Sequence, residues 1–511
     1  MSAAAETAVL DERLSVTATR QVQAEPASSQ TASAGRRVAA GSIARSLGEL
    51  IAKGASVVFY LVAARRLGTS VFGDFMFGLS LSSVVLTFAG LGSEELLARQ
   101  ISRDRQEVHR LYHSITSLKA LMLCLLSELI LLIVVLDGYR GETLLALMLI
   151  SGGIALERTA RNYHAVFQGY ERQDFLAISL IAARFTNSAV GVVALLMGAD
   201  LLLVSVIFMV GSGMGNLSGF LMMRRYLVVP RRQVDVGRWR EILKVSIPLG
   251  LVSVLYLLLM RLDSTMLAFI GGGAGDNSEL GQYGAAQRLI ESTMFVSWAI
   301  GGAMLPWFSR HSGDTEVTLA RGYEVALKAQ CAVLMPIATG YVVLATPLID
   351  LLYGDAYANA ANSLRLLGLM TVLFGINTMV SVLMISREKP GRFTRPAAAV
   401  IAQNVIFNFI LIPPYGATGA AFNALLSGVL LAIWMNRTVK RTIGPVNPMR
   451  IYSPPILASV FLAATLIGLG GLTIPALAAG ALVYPLAFLA IERYLYPGDF
   501  IFYWRLVRRA D

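Results

Sequence analysis

Long apolar stretches alternate with short polar gaps along most of this 511-residue chain. About fourteen such stretches lie between Ser42 and Glu492, and each has about 20 residues, the length of an α-helix that crosses a bilayer. The predicted spans are 42–64, 73–93, 115–136, 142–164, 174–197, 200–223, 243–270, 283–308, 322–346, 357–385, 395–412, 416–436, 452–471 and 474–492. This pattern predicts an all-α polytopic membrane protein in which nearly the whole chain forms one helical bundle.

Basic residues are concentrated in every second gap between the predicted spans. The gaps after the odd-numbered spans contain only Arg65, Arg66 and Arg140 as basic residues. The other gaps are arginine-rich, and residues 224–240 alone contain six arginines. Because cytoplasmic loops of membrane proteins carry the excess of Lys and Arg, both termini are predicted to be cytoplasmic.

Composition supports a membrane protein and argues against a nucleic-acid partner. Hydrophobic residues make up 56% of the chain and charged residues 15%. The net charge of +11 is spread over many short loops, which favours contact with an anionic inner leaflet over binding of nucleic acid. Residues 1–35 are rich in Ala, Ser, Thr and Gln and are predicted to be a disordered cytoplasmic tail, and residues 493–511 a basic cytoplasmic tail.

A weak internal repeat divides the predicted spans into two sets. The segment from Phe72 to Phe75 resembles the segment from Leu280 to Tyr283, and the two are 208 residues apart. We therefore predict two pseudo-symmetric six-helix lobes, 42–223 and 243–436, followed by a helix pair at 452–492. Repeats of this kind form the central site of many transporters.

Several ionisable residues lie within predicted spans, where charge is costly and usually faces the bundle interior. If the cations converge, they would form a watery cavity suited to phosphate or pyrophosphate, because guanidinium groups bind such oxygens in a fixed fork. These cations are Lys53, Arg184, Arg261, Arg288 and Lys328. The acids Glu128, Asp263 and Glu291 are candidates for ion coupling. The alternative is interhelical salt bridges, for example between Arg184 and Glu128.

Close spacing within one helix offers a structural explanation for some of these charges. Glu157 and Arg161 are four residues apart, and Arg288 and Glu291 are three apart, so each pair can form an ion pair on one helical face. His109 and His113 share a face, but no further Cys or His cluster accompanies them, so no metal site is predicted. No Walker A motif occurs, and we expect neither a cofactor nor an ATP-driven step.

Extended blocks of the sequence resemble the polysaccharide-exporter branch of the multidrug/oligosaccharidyl-lipid/polysaccharide transporter superfamily, the Wzx-type flippases. The most informative block is NVIFNFILIPPYGATGAAFNALLS at 404–427, which resembles the eleventh-to-twelfth helix hairpin of that family. Others are ARRLGTSVFGDFMFGLSL at 64–81, RLDSTMLAF at 261–269 and LGQYGAAQRL at 280–289. The resemblance runs from about Gly41 to Lys440 and contains no catalytic signature.

The resemblance implies a secondary transporter of the bacterial inner membrane, not an enzyme. Its implied substrate is an undecaprenyl-pyrophosphate-linked oligosaccharide, flipped for O-antigen, capsule or exopolysaccharide assembly, with a glycan polymerase and other assembly proteins as partners. Three alternatives stay open at this stage. They are a peptidoglycan-precursor flippase, a drug or cation antiporter of the same superfamily, and a membrane glycan polymerase or ligase.

Overall fold

The computed structural model describes residues 27–230, 234–311, 316–387 and 391–498, with the side chains of the first helix described from Gly54 onwards. Within these ranges the chain forms fourteen α-helices and no β-strand. The helices are α1 Ala27–Leu86, α2 Ser93–Arg103, α3 Glu107–Leu136, α4 Gly141–Gly169, α5 Gln173–Leu196, α6 Leu201–Met222, α7 Trp239–Gly271, α8 Ser278–Arg310, α9 Glu316–Val343, α10 Ala345–Leu352, α11 Ala360–Ser386, α12 Gly391–Ile443, α13 Pro448–Gly468 and α14 Ile474–Leu495. The all-α fold class is confirmed.

Twelve of the described helical segments are long and apolar enough to cross a membrane. Two of them, in α1 and α12, are each a hairpin of two spans, because Gly68 (φ 76°) and Gly416 (φ 49°) leave the helical conformation. The Phe59 and Phe75 rings are 6.0 Å apart, although sixteen residues would separate them by about 24 Å in a straight helix. Only glycine adopts these backbone angles without strain, so a single residue reverses the chain. The described segments therefore make fourteen crossings, as predicted.

The first six predicted spans pack mainly among themselves, as do the next six. Helix α1 contacts α4 and α5 of its own set and also packs extensively on α8 of the second set, while α6 packs on both α4 and α5. In the second set α11 packs on α8, α9 and α12, while α12 also packs on α7. The terminal pair, α13 and α14, packs on itself and joins the second set through α9. The boundaries of the two lobes remain a prediction.

The two sets meet at the end of the bundle formed by loops 137–140, 197–200 and 272–277, which we call the predicted outer end. A methyl group added to Gly73 would overlap the Asn277 carbonyl, and one added to Gly281 would overlap the Thr69 carbonyl. Gly73 and Gly281 are 208 residues apart, and so are Thr69 and Asn277. The contact is thus reciprocal, at the offset that the sequence repeat indicates.

The two sets also meet at the opposite end of the bundle, the predicted inner end. A methyl group added to Gly250 of α7 would overlap the backbone of Leu91 and Gly92, which lie just before α2. Ser253 donates to Glu95 Oε1 at 3.2 Å across the same contact. The middle of the bundle is therefore enclosed between two contact zones.

Candidate functional site

A cavity of about 460 Å³ lies between the two contact zones, at mid-depth in the bundle. Its lining comes from α1, α4, α5 and α6 on one side and from α7 and α8 on the other. Three of the five predicted cations, Arg184, Arg261 and Arg288, line it. Residues far apart in sequence are thus brought to one place, as expected of a central transporter site.

Glu291 of α8 joins two of these arginines. Its Oε1 lies 3.0 Å from Arg261 Nη1, and its Oε2 lies 2.7 Å from Arg288 Nη1. The predicted pairing of Arg288 with Glu291 is therefore confirmed. The Arg288 guanidinium also lies 4.0 Å from the centre of the Tyr60 ring, a favourable position over the π face. Both ends of the carboxylate are occupied by charge-assisted contacts.

Arg184 of α5 contacts a different acid. Its Nη2 lies 3.9 Å from Glu157 Oε2, and the Arg184 side chain is 39% exposed, so this pair is looser than the Glu291 cluster. Two expectations are wrong here. Glu128 does not pair with Arg184, because Glu128 lies on the exposed side of α3. Glu157 makes its described ion pair with Arg184 rather than with Arg161, since the side chain crosses to α5.

The other two predicted cations do not add to the described lining. Lys328 lies in a buried ion pair, with Nζ 2.8 Å from Glu492 Oε1, so it binds the terminal helix pair and not the cavity. Lys53 lies in α1 before Gly54, and its side chain is outside the described residues. Among the described lining residues, three arginines face two glutamates, which leaves a net charge of +1. The predicted cationic cavity is therefore largely neutralised by its own acids.

Asp263 faces away from the cavity, into a buried polar cluster between α7 and α12. Its Oδ1 accepts hydrogen bonds from the side-chain amides of Asn404 and Asn408, both at 2.9 Å. Asn404 also donates to Ser427 Oγ at 3.1 Å, across the Gly416 hairpin. Arg261 and Asp263 lie on opposite faces of α7, as their spacing predicts.

Asp263→Leu is expected to destabilise the protein, because two buried amides lose their acceptor and each unsatisfied group costs about 1–3 kcal/mol. Asp263→Asn retains an acceptor oxygen and should be milder. Thermal unfolding of both purified variants in detergent checks this prediction. A leucine variant as stable as the wild type would show that the amides find other partners.

A second cavity of about 360 Å³ adjoins the first within the N-terminal set of helices. The two share Glu157 and Arg184 in their linings. Beside it, buried Lys119 of α3 donates to Glu94 Oε1 at 2.7 Å and to Asn162 Oδ1 at 3.0 Å. Sequence reasoning missed this cluster, since 25 residues separate Lys119 from Glu94 and no periodicity links them.

A polar cluster also spans the predicted outer end. Asn277 donates to Asp74 Oδ1 at 2.8 Å and contacts the Tyr139 hydroxyl, which itself donates to Asp74 Oδ1 at 3.2 Å. Burial, and to a smaller extent the Asp74 charge, raises the pKa of Tyr139, so this hydroxyl stays a proton donor at neutral pH. The cluster links loops of both helix sets beside Gly73.

A family profile described as polysaccharide biosynthesis protein matches residues 38–312, more than half of the chain. The chain belongs to the polysaccharide biosynthesis protein family. Helices α4, α5, α7 and α8, which supply the charged cavity residues, lie wholly within the matched region. Membership confirms the resemblance to the polysaccharide exporters.

Two curated relatives are similar to the chain in sequence. It is 24% identical over 378 residues to the probable low-salt glycan biosynthesis flippase Agl15 of Haloferax volcanii, covering 71% of this chain and 75% of the relative. It is 27% identical over 169 residues to EpsE of Ralstonia solanacearum, named an EPS I polysaccharide export inner membrane protein. That second match covers 33% of this chain and 36% of EpsE.

Solved structures share the fold of this polysaccharide biosynthesis protein. The lipid II flippase MurJ, in an inward closed conformation, superposes with a TM-score of 0.72 at 16% identity, covering 89% of this chain and 99% of MurJ. An inward-facing multidrug resistance transporter of the MATE family gives a TM-score of 0.59 at 17% identity, covering 78% of this chain and 95% of that one. The bundle therefore shares its fold with both of these proteins.

Proposed function

We propose that the protein is a flippase for undecaprenyl-pyrophosphate-linked oligosaccharide repeat units, which it moves from the inner to the outer leaflet of a bacterial inner membrane. The main support for this proposal is the group of three arginines, Arg184, Arg261 and Arg288, around one cavity. Such a group suits the oxygens of a pyrophosphate headgroup. The names of the relatives, a glycan flippase and a polysaccharide export protein, support the same direction of transport.

Alternating access is the proposed mechanism. The lobes 42–223 and 243–436 would separate first at the inner end, at the contact between Gly250 and the Leu91–Gly92 backbone, and then at the outer end, at the contact between Gly73 and Asn277. The headgroup would pass through the cavity while the polyprenyl tail stays in lipid. In this arrangement both termini are cytoplasmic, and glycan polymerase and other assembly proteins would receive the product.

Of the three candidate coupling acids, the enclosed Asp263 and Glu291 suit the role better than exposed Glu128.

The alternatives differ from this proposal in charge or in substrate. A drug or cation antiporter would be expected to place an excess of acids in its cavity, whereas arginines exceed glutamates here. A polymerase or ligase would be an enzyme, and the named relatives are flippases or exporters. A peptidoglycan-precursor flippase would bind the same headgroup, so the identity of the accumulated precursor decides between the two flippases.

Depletion of the protein should cause the polysaccharide precursor, and not the peptidoglycan precursor, to accumulate on undecaprenyl pyrophosphate. In cells whose only copy carries Arg184→Ala, we expect export to fall roughly tenfold, since one charge-assisted contact contributes about 1.5 kcal/mol. Arg184→Lys should retain more activity. Measurements are surface glycan, lipid-linked precursor, and the amount of protein in the membrane. Export unaffected by depletion would refute the proposed function.

A further inference from the structure

Glu291 holds two arginine donors of the cavity that a headgroup phosphate could also use. Each of its oxygens contacts a different arginine, Arg261 at 3.0 Å and Arg288 at 2.7 Å. Both arginines reach this carboxylate through Nη1, so the carboxylate and a phosphate would compete for the same two donor atoms. A pyrophosphate headgroup that binds both guanidinium groups through Nη1 must therefore displace the Glu291 carboxylate.

The charge of the described lining also opposes binding while Glu291 is ionised. A pyrophosphate diester carries about two negative charges at neutral pH, whereas the three arginines and two glutamates of the lining sum to +1. Placing the headgroup beside an ionised and displaced Glu291 would leave an uncompensated negative charge inside the bundle, which is unfavourable. Protonation of one glutamate raises the net charge of the described lining to +2, which balances the two negative charges of the headgroup.

The groups around Glu291 distinguish it from the other lining acid. The nearby charged and titratable side chains are Arg288 of α8, Arg261 and Tyr256 of α7, Arg184 of α5, Glu157 of α4, Tyr60 of α1 and Tyr283 of α8. Glu291 has two arginine atoms at hydrogen-bond distance, while Glu157 has one described cationic partner at 3.9 Å and accepts a 3.5 Å hydrogen bond from Ser212. Displacement therefore changes the surroundings of Glu291 far more than those of Glu157.

We infer that Glu291 is a built-in competitor for the anionic headgroup, and that each headgroup bound is accompanied by uptake of one proton at the Glu291 carboxylate. In this step the phosphate oxygens take over the contacts with Arg261 and Arg288, and one proton from water converts the freed carboxylate to a neutral acid. Departure of the headgroup reverses both changes and returns the proton to water. This inference rests on the proposed function, because it requires a pyrophosphate ligand.

Calorimetry on the full-length protein tests the proton uptake directly. The probe is farnesyl-diphosphate-linked glucose, a diester with two fixed negative charges, titrated between pH 6 and 8 in two buffers of different ionisation enthalpy. The wild type should take up about one proton per ligand, and its Kd should rise up to tenfold per pH unit as pH increases. Glu291→Gln should take up none and show a flat pH profile. Glu128→Gln, at an exposed carboxylate, should behave as the wild type.

The outcomes separate this inference from the proposed function. Binding by the wild type without proton uptake would overturn the inference and leave the flippase proposal intact. Loss of proton uptake in Glu128→Gln would also overturn it, by assigning the proton to another acid. No binding by any form would refute the pyrophosphate substrate itself. The wild-type titration tests proton uptake even if Glu291→Gln fails to fold, and uptake that persists in folded Glu291→Gln would overturn the inference by assigning the proton to another group.

Discussion

Arg261→Ala is expected to reduce glycan export roughly 100-fold while the protein remains in the membrane at normal amounts. Arg261 supplies a guanidinium to the cavity and holds one oxygen of Glu291. Its loss removes a fixed cation for the headgroup and brings the described lining from +1 to neutral. Hydrogen bonds to charged groups contribute about 1.5–3 kcal/mol each, and about 2.7 kcal/mol corresponds to a 100-fold change.

Two further variants make the Arg261 experiment specific. Arg261→Lys keeps the charge but loses the planar fork, so an intermediate loss of export is expected. Arg365→Ala is a matched control, because Arg365 lies in α11 and its guanidinium contacts Asn362 and Thr346 instead of the cavity. Export and accumulated precursor are measured together. Equal export by Arg261→Ala and Arg365→Ala would contradict a role of the cavity in headgroup binding.

Lys328→Met is expected to destabilise the protein by about 3–5 kcal/mol, the usual cost of removing one partner from a buried ion pair. Lys328 of α9 and Glu492 of α14 are each 1% exposed, and their charged atoms are 2.8 Å apart. Without the lysine, Glu492 would remain as a buried carboxylate beside the second set of helices. The effect should appear as a lower midpoint of thermal unfolding in detergent.

A double variant distinguishes the ion pair from general packing. Lys328→Met combined with Glu492→Leu removes both charges, and we expect most of the lost stability to return, because well-packed apolar residues can replace a buried pair. Arg238→Met is the control, since Arg238 and Asp235 form an exposed pair at 3.1 Å whose loss should cost less than about 1 kcal/mol. No recovery in the double variant would show that the lysine stem matters more than its charge.

The sequence was sufficient to predict the number of spans, since a 20-residue apolar stretch is a local feature of the chain. It did not predict how abruptly the chain turns at Gly68, where one residue replaces the predicted gap 65–72, whereas a short turn was predicted at 413–415, next to Gly416. Helical spacing gave the pair Arg288 and Glu291 correctly, because both lie on one helix.

Pairs between helices could not be predicted in the same way. Arg261 contacts Glu291 across α7 and α8, and Lys328 contacts Glu492 from 164 residues away. Which acid meets which base depends on the rotation and depth of each packed helix, and neither quantity is encoded in local periodicity. For that reason the cations predicted to form the cavity included three that line it, but also Lys328, which joins α9 to α14.

The reciprocal contact of Gly73 and Gly281 has the form of a homodimer interface, in which each half gives and receives the same contact about a two-fold axis. At the same offset of 208 residues, Lys53 corresponds to Arg261, while Ser83 corresponds to Glu291. In a dimer of two identical subunits, an acid at this position would be present in both subunits or in neither. Two halves of a single chain are free of that constraint, and here a basic residue stands at both corresponding positions while an acid stands at one alone.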